Sequence, residues 1–272
     1  MVTKDPFASF RITPGSRVRL AQLDAASTAG VPDKETAKAQ CKEDAEIINE
    51  LQDKLYAERE RALLVVLQGT DTSGKDGAIR KVFNHTGPLG VSVTAFRRPS
   101  EDDLAHDFLR RVHIACPRRG TIGIFNRSHY EDVLAARVRQ LAPEKTIEER
   151  YDQINTFENT LVQNGTVILK FMLHISKAEQ AKRLQKRLDD PKSRWKFDPG
   201  DIDDRGQWES YQRAYEIMLT RCTTEWAPWH VIPADYKWAR DAAIAAIVRA
   251  TLEMMAPKYP KPDWDPTAFK IV

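Results

Sequence analysis

Residues 63–77 read LLVVLQGTDTSGKDG, and this stretch restricts the fold more tightly than any other. An aliphatic run ends at Gly69, Gly69-x4-Gly74-Lys75 follows, and residues 76–83 can continue as a helix. Strand, glycine loop, lysine and helix, in that order, is the context that turns a short motif into a phosphate cradle. The glycines let backbone N–H groups turn inward around anionic oxygens. The helix N-terminus adds partial positive charge, and Lys75 adds a full one. The candidate phosphate-binding residues are therefore Gly69, Thr72, Ser73, Gly74, Lys75, Asp76 and Gly77. Ser or Thr usually follows the lysine and offers its hydroxyl to Mg²⁺. Here Asp76 stands there, so a metal must be held differently, and Asp71 inside the loop is the local carboxylate.

The rest of the chain sets bounds. At 272 residues, one α/β domain with extensions is favoured over two domains. A net charge of +3 does not by itself argue for nucleic acid. Cys41, Cys116 and Cys222 lie far apart with no CxxC, which argues for reduced thiols in a cytoplasmic protein rather than disulfides or zinc. The N-terminal residues lack the apolar core of a signal peptide. No apolar run approaches the ~20 residues of a membrane span.

Read in order, residues 1–33 form an extended arm punctuated by Pro6, Pro14, Gly15, Gly30 and Pro32, with Arg11, Arg17 and Arg19 making it basic. Residues 34–255 form the main domain and 256–272 a proline-rich C-terminal arm. Apolar spacing predicts an amphipathic helix over 34–58, with Ile48, Leu51 and Leu55 on one face. Strands are expected at 63–67, 91–96, 121–126, 167–175 and 229–232. One helix is expected from Ser100, a capping residue, to about Ala115, with Leu104, Phe108, Leu109 and Val112 facing the core. Further helices are expected at 146–163, 207–222 and 237–255. Lys170 and His174 read as buried-edge or surface residues, and the tryptophans as core or subunit contacts.

Two segments hold further chemistry. The strand ending at Asn126 runs into Asn126-Arg127-Ser128-His129-Tyr130-Glu131-Asp132. Many P-loop enzymes put an aspartate at that strand end to hold Mg²⁺. Asn126 has no charge, which leaves Glu131, at an expected helix start, to reach the metal. The second segment, at about 177–204, follows a Ser176/Glu179 capping pair and carries Lys182, Arg183, Lys186 and Arg187. A basic, interrupted helical hairpin after a core strand suits a lid over phosphates, with Arg187 or Arg183 meeting developing charge. Arg137 is a further candidate phosphate ligand. Arg80, Lys81, Arg110 and Arg111 are candidates to line a channel for a long anion.

With GTDTSGKDG, HDFL, GIFNRSHYEDVL, HIS, WKFDPGD, APW and IPAD in view, the chain resembles the polyphosphate kinase 2 family from about Arg11 through the last helix. The resemblance implies a thymidylate-kinase-like P-loop core, a parallel sheet flanked by helices, with a helical lid. It implies reversible, direct, in-line transfer of the terminal phosphoryl group of inorganic polyphosphate to AMP or ADP, yielding ADP or ATP, with Mg²⁺ and Mn²⁺ as the metals to test. It implies a homodimer or homotetramer, with neither nucleic acid nor membrane as a partner. Carried onto this chain, Asp71, Lys75, Arg127 and Arg187 are the catalytic residues, and Asp71 and Glu131 the metal ligands. Asn126 stands where many members have aspartate, which moves the metal role towards Glu131. Several members have asparagine at the Glu131 position, and the glutamate resembles the subgroup that accepts both mono- and diphosphates. The competing readings are an ATP-dependent nucleoside monophosphate kinase, a nucleotide switch or nucleic-acid-binding ATPase, and a phosphohistidine route through His129.

Overall fold

The structure, a computed structural model, describes residues 7–269 and 271. Pro6 in the expected N-terminal arm, and Lys270 and Val272 in the expected C-terminal arm, lie outside the described residues.

Five strands make one parallel sheet in the order β2-β3-β1-β4-β5. They are β1 (Ala62–Gln68), β2 (Val91–Ala95), β3 (Ile122–Asn126), β4 (Thr166–His174) and β5 (Trp229–Pro233). The connecting helices are α1 (Lys34–Glu58), α2 (Lys75–Val82), α3 (Glu101–Leu104), α4 (Arg110–Ala115), α5 (Ala135–Val138), α6 (Glu144–Gln163), α7 (Lys177–Asp189), α8 (Gly200–Gly206), α9 (Trp208–Cys222) and α10 (Lys237–Met255).

β1 is buried along its whole length because both sheet faces are covered. Its side chains alternate between two cores. Leu63, Val65 and Leu67 meet residues of α1, α2 and α10, including Ile48, Leu55, Ala78 and Val248. Leu64 and Val66 face Val112, Tyr151, Ile154 and Met218 of α4, α6 and α9. The parallel arrangement brings the C-terminal ends of all five strands to one side, where open α/β sheets bind ligands. β1 runs into the glycine loop there, and β3 ends beside it at Asn126.

The N-terminal segment is fastened along β5 and α9. The Ile12 N–H donates to the Trp229 carbonyl at 2.8 Å, and the Leu20 N–H to Glu216 Oε1 at 2.8 Å. Phe7, Phe10, Val18 and Leu20 are buried, while Arg11, Arg17 and Arg19 point outward. Among the described residues no helix is long and apolar enough to cross a membrane.

Three expectations are corrected. The helix expected from Ser100 to Ala115 is two helices, α3 and α4. Ser100 caps α3 in a full capping box with Asp103, but the Asp107 carboxylate takes the Leu109 N–H at 3.0 Å and turns the chain. Leu104 therefore points to solvent, 70% exposed, while Val112 is buried. The helix expected near Glu131 is a single 3₁₀ turn, His129–Asp132, capped by Ser128, before the short α5. Lys170 is neither at an edge nor at the surface: β4 pairs on both sides, and the side chain is fully buried.

The turn before β3 packs hard on the sheet. A Cβ added at Gly123 would lie 2.8 Å from Pro117 Cδ and 3.0 Å from its Cβ and Cγ. Gly123→Ala should therefore destabilise the fold by about 1–3 kcal/mol, as overpacking does. Urea unfolding with an unchanged m-value checks this, and an unaltered midpoint would contradict the packing.

Candidate active site

Two glycines fix the loop's shape. Gly69 has φ +150°, and a Cβ there would lie 2.7 Å from Ser73 Oγ and 2.8 Å from the Leu173 carbonyl oxygen. Gly74 has φ +101°, and a Cβ there would meet Arg240 Nη1 at 1.8 Å. Thr72 is left-handed without being glycine, φ 65°, a strain that persists only where the surroundings impose it. They do so through two buried arginines. Arg183 donates to the carbonyls of Thr72 (2.9 Å), Ser73 (3.2 Å), Ala234 (2.6 Å) and Asp235 (2.8 Å). Arg240 donates to the Ser73 carbonyl at 3.1 Å and pairs with Asp241 at 2.6 Å. The hydroxyls of Thr70, Thr72 and Ser73 are buried and make no hydrogen bond among the described residues. Buried hydroxyls without partners are costly, and they line the concave loop where phosphate oxygens would sit.

A compact set of charges surrounds this loop. Lys75 is buried and donates to the Gly69 carbonyl at 2.8 Å. Burial first, and the Arg127 charge second, lower its pKa to about 8. Arg127, another left-handed residue (φ 61°), donates through Nη2 to Asp71 Oδ1 at 2.5 Å. Burial opposes the Arg127 charge, but Glu131 and Asp71 outweigh it and raise the pKa. Burial would raise the Asp71 pKa as well; Arg127 and Lys75 reverse that and hold it below the usual carboxylate range. Glu131 accepts from Gln68 Nε2 at 3.0 Å, and Asn126 Nδ2 donates to Asp76 Oδ1 at 2.5 Å.

The 126–132 turn rests on a fully buried polar network. Lys170 Nζ donates to Glu158 Oε2 (2.6 Å), the Tyr130 hydroxyl (2.8 Å) and the Cys222 carbonyl (2.7 Å). Glu158 Oε1 accepts from the Tyr130 hydroxyl at 2.7 Å and lies 3.2 Å from His129 Nε2. All four side chains are fully buried. The network grips His129 and Tyr130, and so aims the residues on either side, Arg127 and Glu131. His129 is sealed in the core, which removes the phosphohistidine route.

The lid reaches over the loop from α7 and α8. Arg187 bonds Asp201 Oδ2 and the Lys196 carbonyl, each at 3.3 Å, tying the lid's two halves together. Asp201 meets the Asp71 carboxylate; burial first, and that neighbour second, push its pKa up to about 6. Arg139 pairs with Asp204 at 2.7 Å and anchors α8 to α5.

Asp71, Lys75, Arg127 and Glu131 thus converge, with Arg187 one residue removed through Asp201. Two single arginines are engaged with protein groups in this structure. Arg183 was expected to meet the ligand, but its donors are committed to main-chain carbonyls behind the loop. Arg137, expected to bind phosphate, is bonded to Glu144 and Glu148 and lies over the Tyr151 ring, with no partner from the loop among the described residues. Arg80 and Lys81 are exposed on the last turn of α2. Arg110 pairs with Asp102 at 2.9 Å, and Arg111 donates to the Arg97 carbonyl at 3.0 Å. The sequence reading missed Arg240 and Glu158, which no local motif marks, and gave no role to Gln68 and Asp201, although these lie within LLVVLQG and WKFDPGD.

The Polyphosphate kinase 2 (PPK2) family model matches residues 31–260. The chain belongs to the polyphosphate kinase 2 family. The AMP/ADP-polyphosphate phosphotransferase of Meiothermus ruber is 47% identical over 258 residues, covering 93% of this chain and 96% of that one. The ADP-polyphosphate phosphotransferase of Rhodopseudomonas palustris is 36% identical over 264 residues, covering 93% and 91%. The crystal structure of polyphosphate kinase 2 from Arthrobacter aurescens TC1 superposes with a TM-score of 0.93 at 41% identity, covering 97% of this chain and 95% of that one.

The site's donors also fit a family phosphotransferase's divalent metal. Among the described residues no group of three or more His, Cys, Asp or Glu side chains could cage an ion. Mg²⁺ needs no such cage: one or two carboxylates plus substrate phosphates and water complete its shell. Asp71 and Glu131 supply that number. Lys170→Met should cost about 3–5 kcal/mol by leaving the buried Glu158 carboxylate without its ammonium partner, and Lys170→Met/Glu158→Gln should recover part of it. Chemical denaturation of the three proteins checks the coupling, and a double variant no more stable than the single would contradict it.

Proposed function

We propose that this chain transfers the terminal phosphoryl group of inorganic polyphosphate to AMP and ADP. One observation carries the reading: Lys75 and Arg127 converge with Asp71 and Glu131 on a loop lined by unpartnered hydroxyls, under a basic lid. The phosphoanhydride bond to the terminal phosphorus breaks, and a bond from the acceptor's terminal phosphate oxygen to that phosphorus forms. Polyphosphate leaves one unit shorter. The attacking oxygen is already anionic, so no strong general base is needed.

The obstacle is repulsion between two polyanions. Lys75 and Arg127 offset it with positive charge, Lys75 aimed by the Gly69 and Thr70 carbonyls and Arg127 by the Asp71 carboxylate. Asp71 and Glu131 would hold Mg²⁺ or Mn²⁺, which supplies neutralisation of phosphate oxygens when bound. The closed lid keeps out water that would otherwise accept the phosphoryl group, and Arg187 supports that closure. Glu131, beside the acceptor, is the residue we assign to accepting monophosphates as well as diphosphates. A cytoplasmic homo-oligomer without nucleic acid or membrane partners completes the proposal.

Purified protein with Mg²⁺ and long-chain polyphosphate should form ADP and then ATP from AMP, and ATP from ADP. Lys75→Ala should lower turnover by at least ~10²–10³ with the fold intact by circular dichroism. Phosphate transfer only from ATP to a nucleoside monophosphate would instead mark an ordinary nucleotide kinase. Glu131→Asn should weaken AMP acceptance more than ADP acceptance, and equal losses would make it a general metal ligand. The Lys75 ammonium loses its charge as pH rises through about 8, so kcat/KM should fall on the alkaline side of that value. Lys75→Arg stays charged throughout, and its lower rate should be flat across the same window. An alkaline limb that survives in Lys75→Arg would assign it elsewhere.

A further inference from the structure

At the end of the sheet opposite the P-loop, the chain builds a second cationic hollow. β1 is seven residues long, so its two ends lie roughly 20 Å apart at 3.3 Å per residue. At the N-terminal end, Arg59, Arg118, Arg119 and Tyr56 line a hollow of about 170 Å³. Arg59 closes α1 in a left-handed conformation, φ 57°, and its guanidinium lies 6.0 Å from the centre of the Tyr56 ring. All three arginines are exposed.

These three charges outnumber the one exposed carboxylate beside them, Glu60. Among the described residues no carboxylate pairs with Arg59, Arg118 or Arg119. The adjacent Glu58 is engaged by Arg61 at 2.9 Å. Arg119 donates only a long bond, 3.5 Å, to the Asn164 carbonyl. The α1 C-terminus offers about half a negative charge, far short of three guanidiniums. The turn carrying two of them is braced. The Gly120 N–H donates to the Arg61 carbonyl at 2.7 Å, the Thr121 hydroxyl to the Arg118 carbonyl at 2.7 Å, and Pro117 abuts Gly123. Like charges held together on a braced turn are preorganised for an anion, and guanidinium forks match phosphate oxygens.

On the reading above that polyphosphate is the donor, we propose that this hollow anchors the body of a long polyphosphate chain whose end reacts at the P-loop. A nucleotide cannot span both ends of the sheet, whereas a long linear polyanion can. The connection from β2 to β3 runs between those ends, and it carries Arg110, Arg111 and His113 on α4 before reaching Arg118 and Arg119. Tyr56 is the one aromatic residue lining the hollow and is already covered by Arg59, so bases find no stacking platform.

The test compares wild type with Arg59→Gln/Arg118→Gln/Arg119→Gln. With saturating ADP, the triple variant should raise KM for long-chain polyphosphate by roughly tenfold, as loss of several phosphate contacts does. Its kcat, and its KM for tripolyphosphate, should stay at wild-type values. An unchanged KM for the long chain, or an equal rise for tripolyphosphate, would overturn the anchor. The second arm titrates long-chain polyphosphate onto Lys75→Ala protein, with and without the triple substitution, and so does not depend on turnover. Weaker binding and a shallower salt dependence in the substituted protein support the anchor, and identical binding overturns it. Tight polyphosphate binding through the hollow in a wild-type protein that transfers nothing would sustain the anchor and sink the transfer reaction instead. Single-stranded RNA competing as well as polyphosphate would overturn the choice of ligand.

Discussion

Arg183 and Arg240 grip the P-loop from behind, and the rest of the site depends on that grip. Their guanidiniums take the carbonyls of Thr72 and Ser73, which turns those carbonyls away from the cradle. A loop whose carbonyls faced inward would repel phosphate. Gly74 is glycine because the Arg240 guanidinium fills the space a Cβ would need. The grip also joins distant parts of the chain, since Arg183 comes from the lid helix α7 and Arg240 from α10. The lid is thus rooted in the loop it covers.

The charges in front of the loop answer a different need. Lys75, Arg127, Asp71 and Glu131 form a nearly neutral set, and each is aimed: Arg127 and Asp71 by each other, Lys75 by main-chain carbonyls and Glu131 by Gln68. A bare cluster of cations would bind polyanions tightly without orienting them. Pairing Arg127 with Asp71 fixes the guanidinium while leaving it partly exposed. The buried network of Lys170, Glu158, Tyr130 and His129 gives this arrangement a rigid footing. A wholly buried ion pair contributes little net stability compared with apolar packing; here it fixes the turn that carries Arg127 and Glu131.

What the sequence made legible follows from range. The helices at 34–58 and 237–255 have the bounds expected of them, and the loop was plain because its strand, glycines and lysine are contiguous. The order of the strands was not legible, because it depends on pairings between residues far apart in the chain. The protein partners of the candidate arginines were hidden for the same reason. Arg183 sits on a helix as basic as any phosphate-binding one, and only tertiary structure reveals that carbonyls have taken its donors. Lys170 looked peripheral because a lysine in a strand usually is, and its partner Glu158 lies on another element. Helix 100–115 failed locally: one carboxylate, Asp107, competed for a backbone N–H and broke the pattern.

The lid adds a linkage between closure and charge. The Asp201 carboxyl lies against Asp71, and burial first, with the like charge of Asp71 second, pushes its pKa up to about 6. A positive charge settling beside Asp71 relieves that repulsion. Arg187 supplies part of it from within the lid, through its contact with Asp201. Positive charge beside these two carboxyls therefore favours the arrangement seen here, with the lid against the loop. One pair of carboxyl groups, Asp71 of the loop and Asp201 of the lid, thus links the charge at the loop to the contact that holds the lid over it.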